Sequence, residues 1–397
     1  MLRAARITVL AAALVSPALL AGEPAEPGNA DPAFAAAIER IESAGGSVEV
    51  ARDAAGRPQT LVRWEGGDAG LESLGSLPRL RWLDLGDTQV TDAGLQIVGG
   101  LPDLQRLYAG QTAIGDEGLR HLSGHGRLRG LWLYDTRITD AGLAHLATLD
   151  ELRWLNLSYT RIADAGLVHL SGLRSLEGLW LYDSRITDAG VAHLAGLRRL
   201  TSLKLSWTDV GDDGLRHLAG LTRLKALWLA DTRIGDAGVA HLAALRRLEW
   251  LFLNDTEVGD AGLAHLAGLK QLQTLDLTNT QVTDAGLPRL AALARLEWLS
   301  LSGTRVTGAG LAAFGELAEL DYIDLSRTAI DHAALRHVAR IACLEGLDLS
   351  ETAIGDAGLE ALRAMPYLRE LQLRRTRATE EGIRKFQDAR PDVLIHR

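Results

Sequence analysis

The sequence predicts an α/β solenoid: a curved stack of short units, with a parallel sheet on the concave face and short helices on the convex one. Two observations carry the prediction. Leu80, Leu104, Leu128, Leu152, Leu176, Leu200, Leu224, Leu248, Leu272, Leu296, Leu320, Leu344 and Leu368 are spaced by 24 residues throughout, with no insertion or deletion. Each of these thirteen units repeats one pattern, LxxLxLxxT followed by xI/VxDxGLxxLxxL, so a strand signal and a helix signal recur in every turn of the stack. A chain of 397 residues would otherwise divide into roughly two or three globular domains, but a solenoid lengthens without splitting.

One unit shows the physics. Leu131 and Leu133 alternate with Trp132, the period of a strand with one buried face. Thr136 marks the turn, and Ile138 points back inward. Asp140 is placed to cap a short helix on which Leu143, Leu146 and Leu149 follow at three-residue spacing. A single unit cannot bury its leucines, and stacking closes them into one continuous core. Strands lie about 4.8 Å apart and helices about 8 to 10 Å apart, so the stack is expected to curve with its strands inside.

The ends depart from the repeat. Arg3 and Arg6 followed by the apolar run Ile7 to Val15 read as a secretory signal over residues 1–21, cleaved after Ala21 or alternatively Ala18. Residues 22–31 read as a disordered leader. Residues 32–64 read as an N-terminal cap: a helix starting at Asp31-Pro32, with Phe34, Ile38 and Ile41 on one face, then strand-like Ser47 to Ala51 and Thr60 to Trp64 joined by a turn at Asp53-Ala54-Ala55-Gly56. Residues 65–390 are the repeat array, opening with an incomplete unit over 65–79. Residues 391–397 read as a closing edge strand around Val393-Leu394-Ile395.

Net charge is −9, so the surface repels nucleic acid and anionic lipid, and no nucleic-acid partner is expected. No later stretch is long and apolar enough to span a membrane once the signal is cleaved. Cys343 is the one cysteine, so the ends must be capped by packing rather than by disulfides. Export with no disulfide suits a bacterial periplasm, cell surface or secreted location.

With the pattern LxxLxLxxTxITDAGLxxLxxL in hand, residues 65–390 resemble the leucine-rich repeats abundant in planctomycete-like bacterial genomes. They are also similar to the cysteine-containing repeats of F-box proteins, with threonine where those carry cysteine; no F-box precedes them here. The resemblance implies a leucine-rich-repeat solenoid and a protein-interaction module. Such repeats are a scaffold, and function has to be argued from a site on them.

Several ladders run through the array. Threonine holds the turn position in every unit but one, where Ser184 stands, and its hydroxyl is expected to bond to nearby backbone. Asp92, Asp116, Asp140, Asp164, Asp188, Asp212, Asp236, Asp260, Asp284 and Asp356 sit where helix N-caps are needed. His121, His145, His169, His193, His217, His241, His265 and His337 repeat on successive helices. That places them about 8 to 10 Å apart, too far to share a zinc ion at about 2 Å from each nitrogen, so no metal or other cofactor is expected. No base or orienting group can be assigned to Cys343, and no Gly-rich phosphate loop, zinc motif or Ser-His-Asp order stands out, so the chain reads as non-catalytic.

The scaffold does not account for the aromatics. The outward strand positions hold Trp82, Tyr108, Trp132, Tyr134, Trp154, Tyr159, Trp180, Tyr182, Trp207, Trp228, Trp250, Phe252, Trp298 and Tyr322, which is 14 of the 19 aromatics in the chain. The leucines between them already fill the core, so these rings are expected to line the concave face as an interaction surface. Asp135, Asp183, Asp231 and Asp255 precede the turn threonine, and Arg137, Arg161, Arg185 and Arg233 follow it. Tryptophan and tyrosine among arginine and aspartate suit a protein partner. They also suit a polysaccharide, with rings for stacking and carboxylates for hydroxyl groups. A third alternative is a structural role in which the aromatics stack against a second copy; a monomer is expected over that dimer.

Overall fold

The computed structural model describes residues 32–52 and 58–397. The expected signal, the leader and the turn at 53–56 lie outside the described residues. Two compact units divide the chain, one ending at Leu155 and the other running Asn156–Arg397. The repeat period gives no sign of a division there.

The first unit opens with the helix Pro32–Ser43, which buries Ala37 and Ile41. The strand Gly46–Arg52 pairs antiparallel with Pro58–Trp64. Trp64 is the plug of this hairpin: it is 1% exposed, and its Nε1 donates to the Gly67 carbonyl at 2.9 Å. Pro58–Trp64 then runs parallel to Leu80–Asp84, with a register shift at Thr60/Leu61 where the hairpin gives way to the repeat. Leu80–Asp84, Arg106–Tyr108 and Gly130–Trp132 follow in parallel, each repeat leucine facing its equivalent, as Leu107 faces Leu131.

The second unit continues the same rule. Gly178–Trp180, Ser202–Lys204, Ala226–Trp228, Trp250–Phe252, Thr274–Asp276, Trp298–Ser300, Tyr322–Asp324, Gly346–Asp348, Glu370–Gln372 and Leu394–His396 pair in parallel in chain order. Its last helix, Glu380–Ala389, buries Ile383 and Phe386 and precedes the final strand. Arg390 closes the array: its guanidinium donates to the carbonyls of Arg363, Met365 and Leu368 at 3.2, 2.6 and 2.9 Å. One side chain thus satisfies three carbonyls of the preceding connection.

The convex segments are shorter than ordinary helices. Asp140–Leu143 is one α-turn, and Ala144–Leu146 continues as 3₁₀ helix. The leucine spacing explains the switch, because Leu143, Leu146 and Leu149 repeat every three residues, the period at which 3₁₀ side chains eclipse. At Leu287–Ala292, with Pro288 in the first turn, the segment is 3₁₀ throughout. The repeat leucines and the Ile/Val after the turn are fully buried in both units.

The threonine ladder bonds within its own turn: Thr136, Thr160, Thr208 and Thr256 each donate Oγ1–H to the leucine carbonyl three residues earlier, at 2.6–2.7 Å. The aspartate ladder corrects the expectation of N-capping. The N-cap is the residue before the aspartate, and Thr139 and Thr187 accept there from the N–H of Ala141 and Ala189. The carboxylate instead reaches the next repeat. Thr139 donates its N–H and Oγ1–H to Asp116 at 2.8 and 2.6 Å; Thr187 does the same to Asp164, and Thr283 to Asp260. Each aspartate therefore fastens its neighbour's N-cap residue rather than its own helix. This explains the glycine two residues on. A Cβ on Gly262 would stand 2.6 Å from Asp236 Oδ1, so only glycine leaves room for the previous repeat's carboxylate.

Candidate functional site

Most of these aromatics are half-buried or buried against neighbouring side chains. In the first unit Trp82 and Tyr108 are half-buried, with centroids 5.4 Å apart and planes tilted by 56°. Tyr108 and Trp132 stack at 4.1 Å and 2°. Trp132 is only 5% exposed, because its indole lies over Gly130, where a Cβ would come within 2.5 Å of the ring. Tyr134 lies the same way over Gly110 of the preceding repeat. Trp154 is half-buried. Burial pushes the Tyr108 and Tyr134 phenols up, and the Asp84 carboxyl with them.

In the second unit two groups form. Trp180, Lys204, Trp228 and Phe252 occupy one row on neighbouring strands. Trp180 is 6% exposed and its Nε1 donates to Ser202 Oγ at 3.3 Å; Trp228 and Phe252 stack at 5.4 Å and 4°. Lys204 Nζ stands between the indoles, 4.8 Å from the Trp180 centroid and 4.6 Å from that of Trp228. The second group is Tyr159, Tyr182 and Trp207. Tyr159 and Tyr182 are 5.0 Å apart, Tyr182 and Trp207 5.6 Å, and Tyr159 and Trp207 are 50% and 52% exposed. The Tyr182 phenol is pushed up to about 12 by burial first and then by Tyr159, Asp183 and Asp231. Trp250 is half-buried, and Trp298 stacks on Tyr322 at 6.1 Å.

The expectation of an open aromatic groove is therefore revised. Trp132 and Trp180 are buried, and ring faces along the rows are occupied by neighbouring rings or by Lys204. Gly130, two positions before Trp132 in the same strand, makes room for that indole, and the pair was a signal for it in the sequence.

The charged residues fall elsewhere than the sequence suggested. Asp135, Asp183, Asp231 and Asp255 occupy a turn position that is left-handed in every repeat, with φ of 52°, 50°, 51° and 57°. Aspartate tolerates that backbone better than most side chains, so the fold alone accounts for it. The same position carries Tyr159 and Trp207 at φ 58° and 60°, where bulky rings have no such excuse. Arg137, Arg185 and Arg233 lie past this turn, donating backbone N–H to Ile114, Ile162 and Val210, and the Arg233 side chain pairs with Asp209 on that outer row. The arginines, Arg161 included, are exposed.

Sequence reasoning missed three features. Lys204 is one; its signal was a lone lysine in a row of tryptophans. Another is the polar end of the same face, where Asp276, Ser300, Asp324 and Asp348 replace the rings, Thr278 pairs with Ser300 and Ser302 with Ser326, both at 2.7 Å. Burial pushes the Asp276 and Asp324 carboxyls up. The third is His125, which stands where other repeats place leucine. It is buried, its Nε2–H donates to the Gly99 carbonyl at 3.0 Å, and with Gly99, Pro102, Ser123, Gly124, Gly126 and Arg127 it lines a cavity of about 490 Å³. The histidine ladder is half-buried or exposed, and no cluster of metal-ligating side chains occurs among the described residues. Cys343 donates its thiol to the carbonyls of Leu317 and Leu320, both at 3.1 Å, and burial pushes its pKa up, the reverse of an activated nucleophile.

Comparisons with known proteins agree on the architecture. The family described as Leucine Rich repeat matches residues 197–219, 270–291 and 341–362. No curated protein matches the chain significantly. Among solved structures, a leucine-rich-repeat protein of Leptospira interrogans is similar at 19% identity with a TM-score of 0.65, covering 82% of this chain and 80% of that one. An internalin from Listeria monocytogenes is 24% identical with a TM-score of 0.58, covering 71% and 83%. A plant peptide hormone receptor in complex with RGF2 is 16% identical with a TM-score of 0.56, covering 84% of this chain and 57% of that one. At these identities the likeness is one of fold. With the 24-residue register, the parallel strands and the buried leucine ladder, it establishes that this chain carries leucine-rich repeats and folds as a leucine-rich-repeat solenoid.

Proposed function

We propose that the chain is a non-catalytic binding scaffold that docks a protein partner on the aromatic sheet face of its second unit. The observation that carries this reading is the Tyr159–Tyr182–Trp207 group. Two rings half in water, on left-handed backbone that costs about 1 kcal/mol for such side chains, serve neither core nor turn. Trp and Tyr presented this way are typical binding anchors. The plant peptide hormone receptor of similar fold is seen in complex with RGF2, which supports the reading. Arg3, Arg6 and the apolar run Ile7 to Val15 support export, to a bacterial periplasm, cell surface or medium. A polysaccharide is the weaker alternative: sugars stack on ring faces, and most faces here are already occupied by neighbours.

Selection of displayed peptides on the purified protein tests it. Selected peptides should lose about 30-fold or more in affinity when Tyr159→Ala and Trp207→Ala are combined, with little change in thermal stability, because neither ring is in the core. Peptides indifferent to the pair, binding confined to oligosaccharides, or sedimentation showing both rings covered in a dimer would each sink the proposal.

A further inference from the structure

Lys204 is unlike the other lysines of the chain. There are four in the sequence. Lys225 pairs with Glu249 at 2.7 Å, Lys385 with Glu381 at 2.7 Å, and Lys270 donates to the Ala292 carbonyl at 2.8 Å. Lys204 has neither a carboxylate nor a hydrogen-bond acceptor among the described residues; its neighbours are the faces of Trp180 and Trp228. Strand pairing fixes this placement. Ser202–Lys204 lies between Gly178–Trp180 and Ala226–Trp228 in register, so the ammonium is held in one row with the two indoles.

Burial alone pushes Lys204 down to about 8. The two flanking strands bring no charge to its row. The turns beyond them carry Tyr182, Asp183 and Asp231, and none of these contributes to the shift. Two ring faces return part of what desolvation takes from an ammonium, and the remainder stays uncompensated. An anion arriving at Nζ would supply what the protein omits. The ligand must also lie over Trp228 and Phe252, which are half-buried, whereas Trp180 is already covered. A side-chain carboxylate on a chain that runs on past Lys204 does this.

We propose that Lys204 is the anchor of the sheet face: its ammonium donates to the carboxylate of an Asp or Glu side chain from a protein segment laid across Trp228 and Phe252. The proposal rests on the binding reading above and names the chemistry of the partner. It also fixes a pH profile. The carboxylate binds the protonated amine, so affinity should be level from about pH 6 to 8 and fall above it until the advantage of the charge is lost.

The test uses three peptides at millimolar concentration: acetyl-Phe-Glu-Phe-amide, acetyl-Phe-Gln-Phe-amide and acetyl-Phe-Phe-Gly with a free carboxyl end. Reductive ¹³C-methylation gives each lysine its own NMR signal, and the Lys204 signal is identified by its loss in Lys204→Arg. Tryptophan fluorescence follows occupancy of the face. The Glu peptide should shift the Lys204 signal and bind about tenfold or more tighter than the Gln peptide, an advantage lost in Lys204→Met, retained in Lys204→Arg, and eroded above pH 8 in the unsubstituted protein. Equal quenching by the Glu and Gln peptides with an unmoved Lys204 signal would overturn the anchor and leave the binding face standing. No response to any peptide would overturn both. A stronger shift from the free-carboxyl peptide would overturn the choice of a side chain as the source.

Discussion

Two rows of aspartates run through the second unit, and their carboxyls move in opposite directions. Asp284 belongs to the ladder at the helix starts. Burial raises it, but donation from Thr307 Oγ1 and from the N–H groups of Gly310, Thr307 and Gly308 outweighs burial and holds it below the usual carboxylate range. Asp356 in the same ladder is held low by the Thr379 N–H and hydroxyl. Asp276 and Asp324 belong to the sheet face. They too have donors, Thr278 for the one and Ser326 and Ser300 for the other, but they are far more deeply buried than the ladder aspartates, and burial prevails. The residue type is the same, and the balance of burial against donors differs. An aspartate in this chain is therefore structural where the next repeat offers it hydrogen-bond donors at the surface. Where the sheet face buries it more deeply than its donors repay, it is a partly uncompensated charge.

The comparison can be broken hardest at the glycine that makes room for the ladder. Gly262→Ala would be mildly stabilising in an ordinary helix. Here its Cβ meets Asp236 Oδ1 at 2.6 Å and Val258 Cγ1 at 3.1 Å, displacing the carboxylate that accepts from the Gly259 N–H. A loss of about 3 kcal/mol is expected by denaturant unfolding, and an unchanged midpoint would show that the ladder yields freely. Asp284→Ala should come next, at about 2 kcal/mol, since it leaves three backbone N–H groups to water or to nothing. The smallest effect is expected on the sheet face. Asp324→Asn retains an oxygen for the Ser326 N–H and discards a poorly solvated charge, so stability at neutral pH should rise slightly or stay level. A marked loss would mean that the face depends on that charge.

Acid sharpens the same contrast. A carboxyl whose folded value is depressed, as at Asp284, contributes stability above its unfolded value, and this is lost as pH falls through the folded one. A carboxyl whose folded value is raised, as at Asp324, costs stability above that value and is relieved as pH falls through it. Asp284→Ala should therefore flatten the acid limb of the stability–pH profile, and Asp324→Asn should steepen it.

The recurrence of a unit was fully legible in the sequence, because leucines at a fixed period state which side chains face inward. Which outward residues matter was not. The threonine hydroxyls were readable, since their acceptor lies three residues away in the chain. The ladder aspartates were misassigned to their own helices, since their acceptor role is fulfilled by residues 23 positions on, beyond any local pattern. Likewise the burial of Trp132 depends on Gly130 beneath it and Tyr108 beside it, which the spacing of the aromatics alone does not state.

Sequence alone determined the strand-turn-helix unit, its register and the leucine core, because each follows from the spacing of apolar residues along one short segment. Tertiary structure decided the rest: which carboxylates are satisfied, which rings are covered, and that Lys204 stands between two indoles with no acceptor among the described residues. Those outcomes depend on contacts between repeats, where a side chain's environment is set by a residue about one full turn of the stack away.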